Sequence, residues 1–246
     1  MSRFKSVVSP LLLLALWEIC ARLGWIEVRF FPAPSTIFMR FGVLVQTQEF
    51  WRDLGLSLQR AGIGMVMGGV PGIMLGLAMG LFKPVRDFTQ PLIAGLYPLP
   101  KIAILPLLLL IFGLGEMSKY VTVAIGVFFI MVINTSAGVL SIRPIFFDVP
   151  RSLHASRWQI YMTVALPGAL PGIFTGGRLA TGVALLVLVA AEFVGANEGL
   201  GYRIWWSWTV FWVDTMYVGL FEIAILGFLS AYLVDQLEKA LLPWRR

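Results

Sequence analysis

Few residues in this chain can do covalent chemistry. His154 is the only histidine and Cys20 the only cysteine. One cysteine makes neither an intrachain disulfide nor a thiolate metal cluster. One histidine has no G-x-S-x-G elbow to complete a Ser-His-Asp relay, and no H-E-x-x-H puts two metal ligands on one helix face. No G-x-x-x-x-G-K-[ST] stretch occurs, so the chain has no Walker A loop to cradle ATP, and any ATP-driven motor must lie on another polypeptide. Two groups of residues do suggest chemistry. Lys101, Arg178, Glu192 and Glu222 stand inside apolar runs, where an ionised group costs about 2.5–3.5 kcal/mol and is a functional candidate by default. The second group is a polar, basic stretch between two such runs, Asp148-Val149-Pro150-Arg151-Ser152-Leu153-His154-Ala155-Ser156-Arg157-Trp158-Gln159.

The elements that must position these residues are membrane spans. Charged residues make up 13% of the 246 and apolar residues 59%, with mean hydropathy +0.85. Soluble domains hold roughly 25% and 45–50%, and that much apolar surface finds a solvent only in lipid. The net charge of +6 is scattered beside the apolar runs, as membrane flanks require, and forms no patch for nucleic acid. Runs of about 20 residues cross a bilayer as helices. Six are expected in a single domain over 1–246: Val7 to Trp25, Leu56 to Phe82, Pro91 to Leu114, Lys119 to Leu140, Leu170 to Val194 and Met216 to Leu237. The first run has the basic start of a signal peptide, but it lacks a small-residue cleavage site and holds Glu18 and Arg22, which share a helix face. Arg3, Lys5, Lys83, Arg86, Arg143, Arg151, Arg157, Lys239, Arg245 and Arg246 all fall on one side of an even number of spans. The positive-inside rule makes that side cytoplasmic and places both termini there. Arg29, Arg40 and Arg52 lie opposite, accompanied by Glu27, Glu49 and Asp53.

Two spans carry small residues every four positions: Gly64, Gly68, Gly72, Gly76 and Gly80 in the second, and Gly168, Gly172, Gly176, Ala180 and Ala184 in the fifth. Each set forms one smooth helix stripe against which another backbone packs closely. A sliding contact beside a pathway would use the same flat faces. The third span opens on Tyr97-Pro98-Leu99-Pro100-Lys101, with Pro106 beyond. Prolines break the helix there, and lipid tolerates such a break only where protein or a wet cavity covers it. Tyr97, Pro98, Pro100 and Lys101, with Asn134 and Glu192 on later spans, are therefore the candidates for lining a translocation pathway. For Lys101 the bland alternative is a lysine pairing with a helix C-terminus or a carboxylate. A secondary transporter with discontinuous helices and a membrane-embedded enzyme are the competing classes.

From residues alone, the stretch from about 141 to 167 fits two readings: a docking element with Arg and Trp anchors, or an amphipathic helix resting on headgroups. It resembles the EAA loop of ABC-importer permeases, an E-A-A-x-x-x-G pattern closed by L-P, here Leu166-Pro167. Ser152-Leu153, Ala155-Ser156-Arg157-Trp158-Gln159, Leu166-Pro167-Gly168-Ala169-Leu170-Pro171-Gly172-Ile173 and Ala190-Ala191-Glu192 are similar to the taurine, aliphatic-sulfonate and nitrate branch of the type I, MetI-like permeases. So are Gly199-Leu200-Gly201-Tyr202, Pro32-Ala33-Pro34-Ser35 and Phe112-Gly113-Leu114-Gly115-Glu116. The chain departs from the pattern where E-A-A would stand, at Asp148, Val149 and Pro150. His154 occupies the glycine position, where a left-handed turn costs a histidine more than a glycine.

The resemblance implies an all-α bacterial inner-membrane permease whose loop forms a cytoplasmic coupling helix seated in a separate ABC ATPase. On that reading Asp148, Arg151 to Trp158 and their neighbours dock the ATPase, which carries ATP and Mg, and this chain binds no cofactor or metal. The implied partners are two ATPase subunits, a second permease copy, an extracytoplasmic solute-binding lipoprotein and membrane lipid. The implied cargo is a small anionic solute of the sulfonate, taurine or nitrate type, which the charge of Lys101 would suit.

Overall fold

The computed structural model describes residues 2–242, with side chains from residue 8 onward except at 151 and 157. The Arg3, Lys5, Arg151 and Arg157 side chains, and Arg245 and Arg246 altogether, lie outside the described residues. Among the described residues every regular element is helical: α1 (Ser2–Arg22), α2 (Pro34–Leu44), α3 (Gln48–Leu81), α4 (Lys83–Leu96), α5 (Leu105–Phe112), α6 (Glu116–Leu140), α7 (Ile145–Ser152), α8 (Arg157–Ile160), α9 (Leu166–Gly195), α10 (Leu200–Thr209) and α11 (Val213–Leu241).

Four stretches are long and apolar enough to cross a bilayer: α3, α6, Trp158–Gly195 and α11. The α4–α5 pair makes a fifth if it is one span. Helix α1, with 21 residues, is about 31 Å long, enough for the hydrocarbon core. The expected segments therefore recur in order, with differences at the second, the third and the fifth, the last of which reaches back to Trp158 rather than Leu170. The second begins at Gln48 rather than near Leu56, because Thr47 caps it by accepting the Phe50 N–H. The third is not one straight helix but two, bent by 87°. Pro98 and Pro100 lack the N–H groups that would extend α4, and Pro100 itself is extended (φ −63°, ψ 113°). A 3-10 turn over Lys101–Ile104 restarts the chain, and Pro106 occupies the first turn of α5, where its missing N–H costs nothing.

The core is the contact of α3, α6 and α9, built from Ala61, Val123, Val127, Met131, Ala180, Ala184 and Leu188. Helices α3 and α6 run in the same direction, since Gly64 meets Val123 at one end and Gly80 meets Val139 at the other. Helix α9 returns antiparallel, with Gly172 against Gly138 and Gly176 against Asn134. A Cβ on Gly68 would lie 2.1 Å from the Ala124 carbonyl oxygen; on Gly72, 2.7 Å from the Met131 Cβ; on Gly76, 2.6 Å from the Thr135 Cβ. On Gly172 and Gly176 it would lie 2.6 Å and 2.8 Å from Asn134 atoms. Both stripes are thus close-packed helix contacts, as the spacing predicted. Leucines and aromatics of α1, α5 and α11, such as Leu13, Leu110 and Phe228, face outward while Arg60, Lys119, Glu192 and Glu222 are buried. This distribution suits a lipid solvent.

Gly68→Ala is expected to cost about 1–3 kcal/mol through overpacking, seen as a lower melting temperature of the detergent-solubilised protein. Gly62→Ala, which meets nothing within 4 Å, is expected to be neutral. Equal melting temperatures for the two variants would refute a locked α3–α6 contact.

Candidate functional site

The loop between α6 and α9 is a structured turn at one end of the bundle. Helix α7 ends in a Schellman-type cap: the Ala155 N–H donates to the Pro150 carbonyl at 2.9 Å, and His154 sits in the left-handed region at φ +57°. The glycine-type turn is therefore made with a histidine in it. Helix α8 starts with a capping box, in which the Ser156 N–H donates to Gln159 Oε1 at 2.7 Å and the Gln159 N–H donates to Ser156 Oγ at 3.2 Å. A π-helical stretch, Tyr161–Ala165, follows, and the Leu166 N–H donates to the Tyr161 carbonyl. This wide turn precedes Pro167, which has no N–H to offer the Thr163 carbonyl. Trp158–Gly195 is consequently one continuous helical stretch of 38 residues, and the turn is joined to the fifth span without a flexible link.

The turn exposes 76% of Leu153 and 65% of Trp158, and Trp158 stacks on Tyr161. Asp148 lies in the first turn of α7, Ser152 donates to the Val149 carbonyl, and Ala155 is half-buried. A cleft of about 1030 Å³ separates Phe147, Ala155, Trp158 and Tyr161 from the end of α3 at Leu77–Phe82.

The break between α4 and α5 lies level with the middle of α3 and α6. Tyr97, Pro98 and Pro100 are exposed and Lys101 is half-buried. Lys101 Nζ donates to the carbonyls of Leu99 (2.8 Å), Leu96 (3.4 Å) and Tyr97, and lies 4.8 Å from the centre of the Phe129 ring. It therefore caps the C-terminal end of α4, the bland alternative weighed for it. A pocket of about 430 Å³ opens beside it, lined by Met67, Leu96, Leu99, Ile104 and Phe128 among others. Asn134, also a pathway candidate, donates to the Ile130 carbonyl at 2.9 Å and packs on Gly176.

Glu192 is not beside this pocket. It is 0% exposed, at the end of the bundle opposite the loop, and forms the centre of a buried network. Arg60 donates to Glu192 at 2.7 Å and to both oxygens of Glu116 at 2.6 and 2.7 Å, and Lys119 reaches Glu116 at 3.2 Å. The first N–H groups of α10 end on Glu192 and two α3 side chains beside it: Gly199 donates to Asp53 (2.9 Å), Leu200 to Ser57 (2.9 Å) and Gly201 to Glu192 (2.8 Å). Gly199 has φ +120°, and a Cβ there would fall 2.5 Å from Glu192. Arg203 on α10 pairs with Glu222 on α11. Sequence reasoning missed Asp53, Ser57, Arg60 and Arg203. Arg60 and Glu116 stand at the edges of apolar runs, where charges read as flanks, and their partners are up to 138 residues away. Arg178 pairs with Asp235 and Glu238 at the loop end.

Residues 72–246 match the family model for the binding-protein-dependent transport system inner membrane component. The chain belongs to this family. The permease is 34% identical over 98% of its length to a putative aliphatic sulfonates transport permease of Bacillus subtilis, covering 87% of that relative. It is 34% identical over 97% of its length to the taurine transport permease of Escherichia coli, covering 89% of it. In fold it resembles a chain of the inward-facing MetNI methionine ABC transporter (TM-score 0.65, 18% identity, 79% of this chain and 94% of that one). It also resembles a chain of an alginate-importing bacterial ABC transporter (TM-score 0.66, 16% identity, 98% and 99%). The permease is thus an integral-membrane subunit of an ABC importer with a MetI-like fold, and its relatives are permeases rather than ATPases. The family match sets aside the secondary transporter and the membrane-embedded enzyme.

Two outcomes are expected from thermal unfolding. Arg60→Met leaves the buried Glu192 carboxylate without a cation and should cost about 3–5 kcal/mol, as loss of one partner of a buried pair does; a change below about 1 kcal/mol would refute the network's role. His154→Gly should leave stability unchanged or raise it by up to about 1 kcal/mol, since left-handed backbone costs a side chain about 1–2 kcal/mol and glycine returns part of that as chain entropy. His154→Val should lower stability, and equal tolerance of both substitutions would contradict the cap geometry.

Proposed function

We propose that the α7–α8 end of the permease faces the cytoplasm and that its turn is the seat of a separate ABC ATPase, which carries ATP and Mg. The exposed Leu153–Trp158 surface on a capped, rigid turn is the observation that supports this most directly, because a large aromatic beside an aliphatic is the usual anchor of a protein interface. The charge balance supports the orientation. Arg29, Arg40 and Arg52 at the far end pair with Glu27, Asp214 and Glu198. Among the described residues Lys83, Arg86 and Arg143 at the loop end make no ion pair, so the uncompensated positive charge lies on the loop side. An even number of crossings then puts both termini in the cytoplasm.

Two copies of the permease form the pathway, each seated on one ATPase, and an extracytoplasmic binding protein delivers the solute. Closure of the motors draws the two turns together and shifts the permease between two packings. The cargo is a small anion of the sulfonate, taurine or nitrate type. The names of the sulfonate and taurine relatives support this, as does a lysine beside the mid-membrane pocket.

The test is a Leu153→Ala, Trp158→Ala double variant reconstituted with its genomic ATPase partner. Retention of the ATPase is expected to fall about 10–30-fold, the scale of a lost interface anchor, with ATP-dependent uptake of taurine or ethanesulfonate falling alongside. Full ATPase retention with unchanged uptake would sink the reading. Weakened membrane association with the ATPase retained would make the turn a headgroup contact instead.

A further inference from the structure

The basic side chains in the apolar interior are not treated alike. Arg60, Lys119, Arg178 and Arg203 each face a carboxylate. Lys101 faces backbone carbonyls and two aromatic rings, Tyr97 and Phe129, and among the described residues no carboxylate pairs with it. Carbonyl dipoles and ring faces lower the cost of its charge without cancelling it. The pocket that touches it has no other ionisable side chain in its lining, and is walled by methionine, leucine, isoleucine and phenylalanine. The same ammonium spans the α4–α5 break, holding the last carbonyls of α4 from the first residue of the 3-10 turn.

We infer that Lys101 is a two-state group: in this conformation it clips the 87° bend through the α4 carbonyls, and a compact anion with a short apolar tail that enters the pocket takes the ammonium from them. A full negative charge in a water-poor site competes well with three partial ones. The tail finds the apolar wall, whereas the ammonium of a zwitterion finds no acceptor side chain there. Solute arrival then unfastens the bend, so that occupancy of the pathway is converted into a change in the angle between α4 and α5. This rests on the anionic cargo proposed above, and it names the group that senses the cargo.

The permease is co-expressed with its genomic ATPase and placed in nanodiscs. Cys20→Ala removes the native thiol, and spin labels are attached at Phe88→Cys on α4 and Leu110→Cys on α5, both highly exposed. The distance distribution is recorded with butanesulfonate, with taurine and with butanol. Butanesulfonate is expected to shift it, taurine to shift it less and butanol not at all. Lys101→Met is expected to show the shifted distribution without any ligand and no response to butanesulfonate. An unchanged distribution with butanesulfonate, an equal response to butanol, or a Lys101→Met protein that still responds would overturn the inference. If Lys101→Met fails to insert, the butanesulfonate and butanol comparison on the Lys101 protein decides alone. Failure of the ATPase to co-purify counts against the docking reading and leaves the label distances to judge Lys101 separately.

Discussion

Hydrocarbon solvates neither a charge nor a free peptide group, and that constraint organises most of this molecule. Each buried basic group described here has been given a partner: Arg60 from α6 and α9, Arg203 from α11, and Lys119 from Glu116 at the start of its own helix. The backbone obeys the same constraint. The buried N–H groups at the start of α10, which have no helical carbonyl to bond, end on Asp53, Ser57 and Glu192, and the carbonyls freed at the end of α4 end on Lys101. A charge in this protein is therefore usually the means by which a helix end is made tolerable to lipid. The Ala-Ala-Glu and Gly-Leu-Gly stretches, on either side of the turn between α9 and α10, are two halves of one such device, since the glutamate needs the Gly201 N–H and Gly199 leaves room for the glutamate.

Dispersion does the remaining work. Without a hydrophobic drive between helices in lipid, close backbone approach is what holds them, and the glycines of α3 against α6, with those of α9 against the other side of α6, provide it. The three-helix core and the ionic network at its far end make one rigid unit. The bent α4–α5 pair packs on this unit through Ile93 and Leu105, so the part with a break in its backbone is separate from the part without one.

How much of this could be read in advance follows from the range of each signal. Signals repeating within one helix were legible: the apolar runs, the four-residue glycine spacing, and the prolines that break the third span. The loop between α6 and α9 was legible as a polar interruption whose pattern is known elsewhere; a histidine where that pattern has glycine left its turn open, and the structure makes the left-handed turn with His154 in it. What was not legible depends on pairing across the chain. Glu192 read as a pathway candidate because a carboxylate in an apolar run gives no hint that Ser57, Arg60 and Gly201 surround it. Nor does a sequence show that the carbonyls of the preceding turn fold back onto the Lys101 ammonium. The start of α3 was read short because its first turns are charged, and only the Thr47 cap and the distant partners of Asp53 and Arg60 explain why helix persists there.

The unbroken helical stretch from Trp158 to Gly195 has a mechanical corollary. Its 38 residues correspond to about 57 Å at 1.5 Å per residue, well beyond the roughly 30 Å hydrocarbon thickness. It behaves as a lever with one arm outside the bilayer. Pivoted at the turn proposed above as the ATPase seat, each degree of tilt would sweep the opposite tip, where Glu192 meets α10, through about 1 Å, so on that reading a stroke of a few degrees is already on the scale of a side chain.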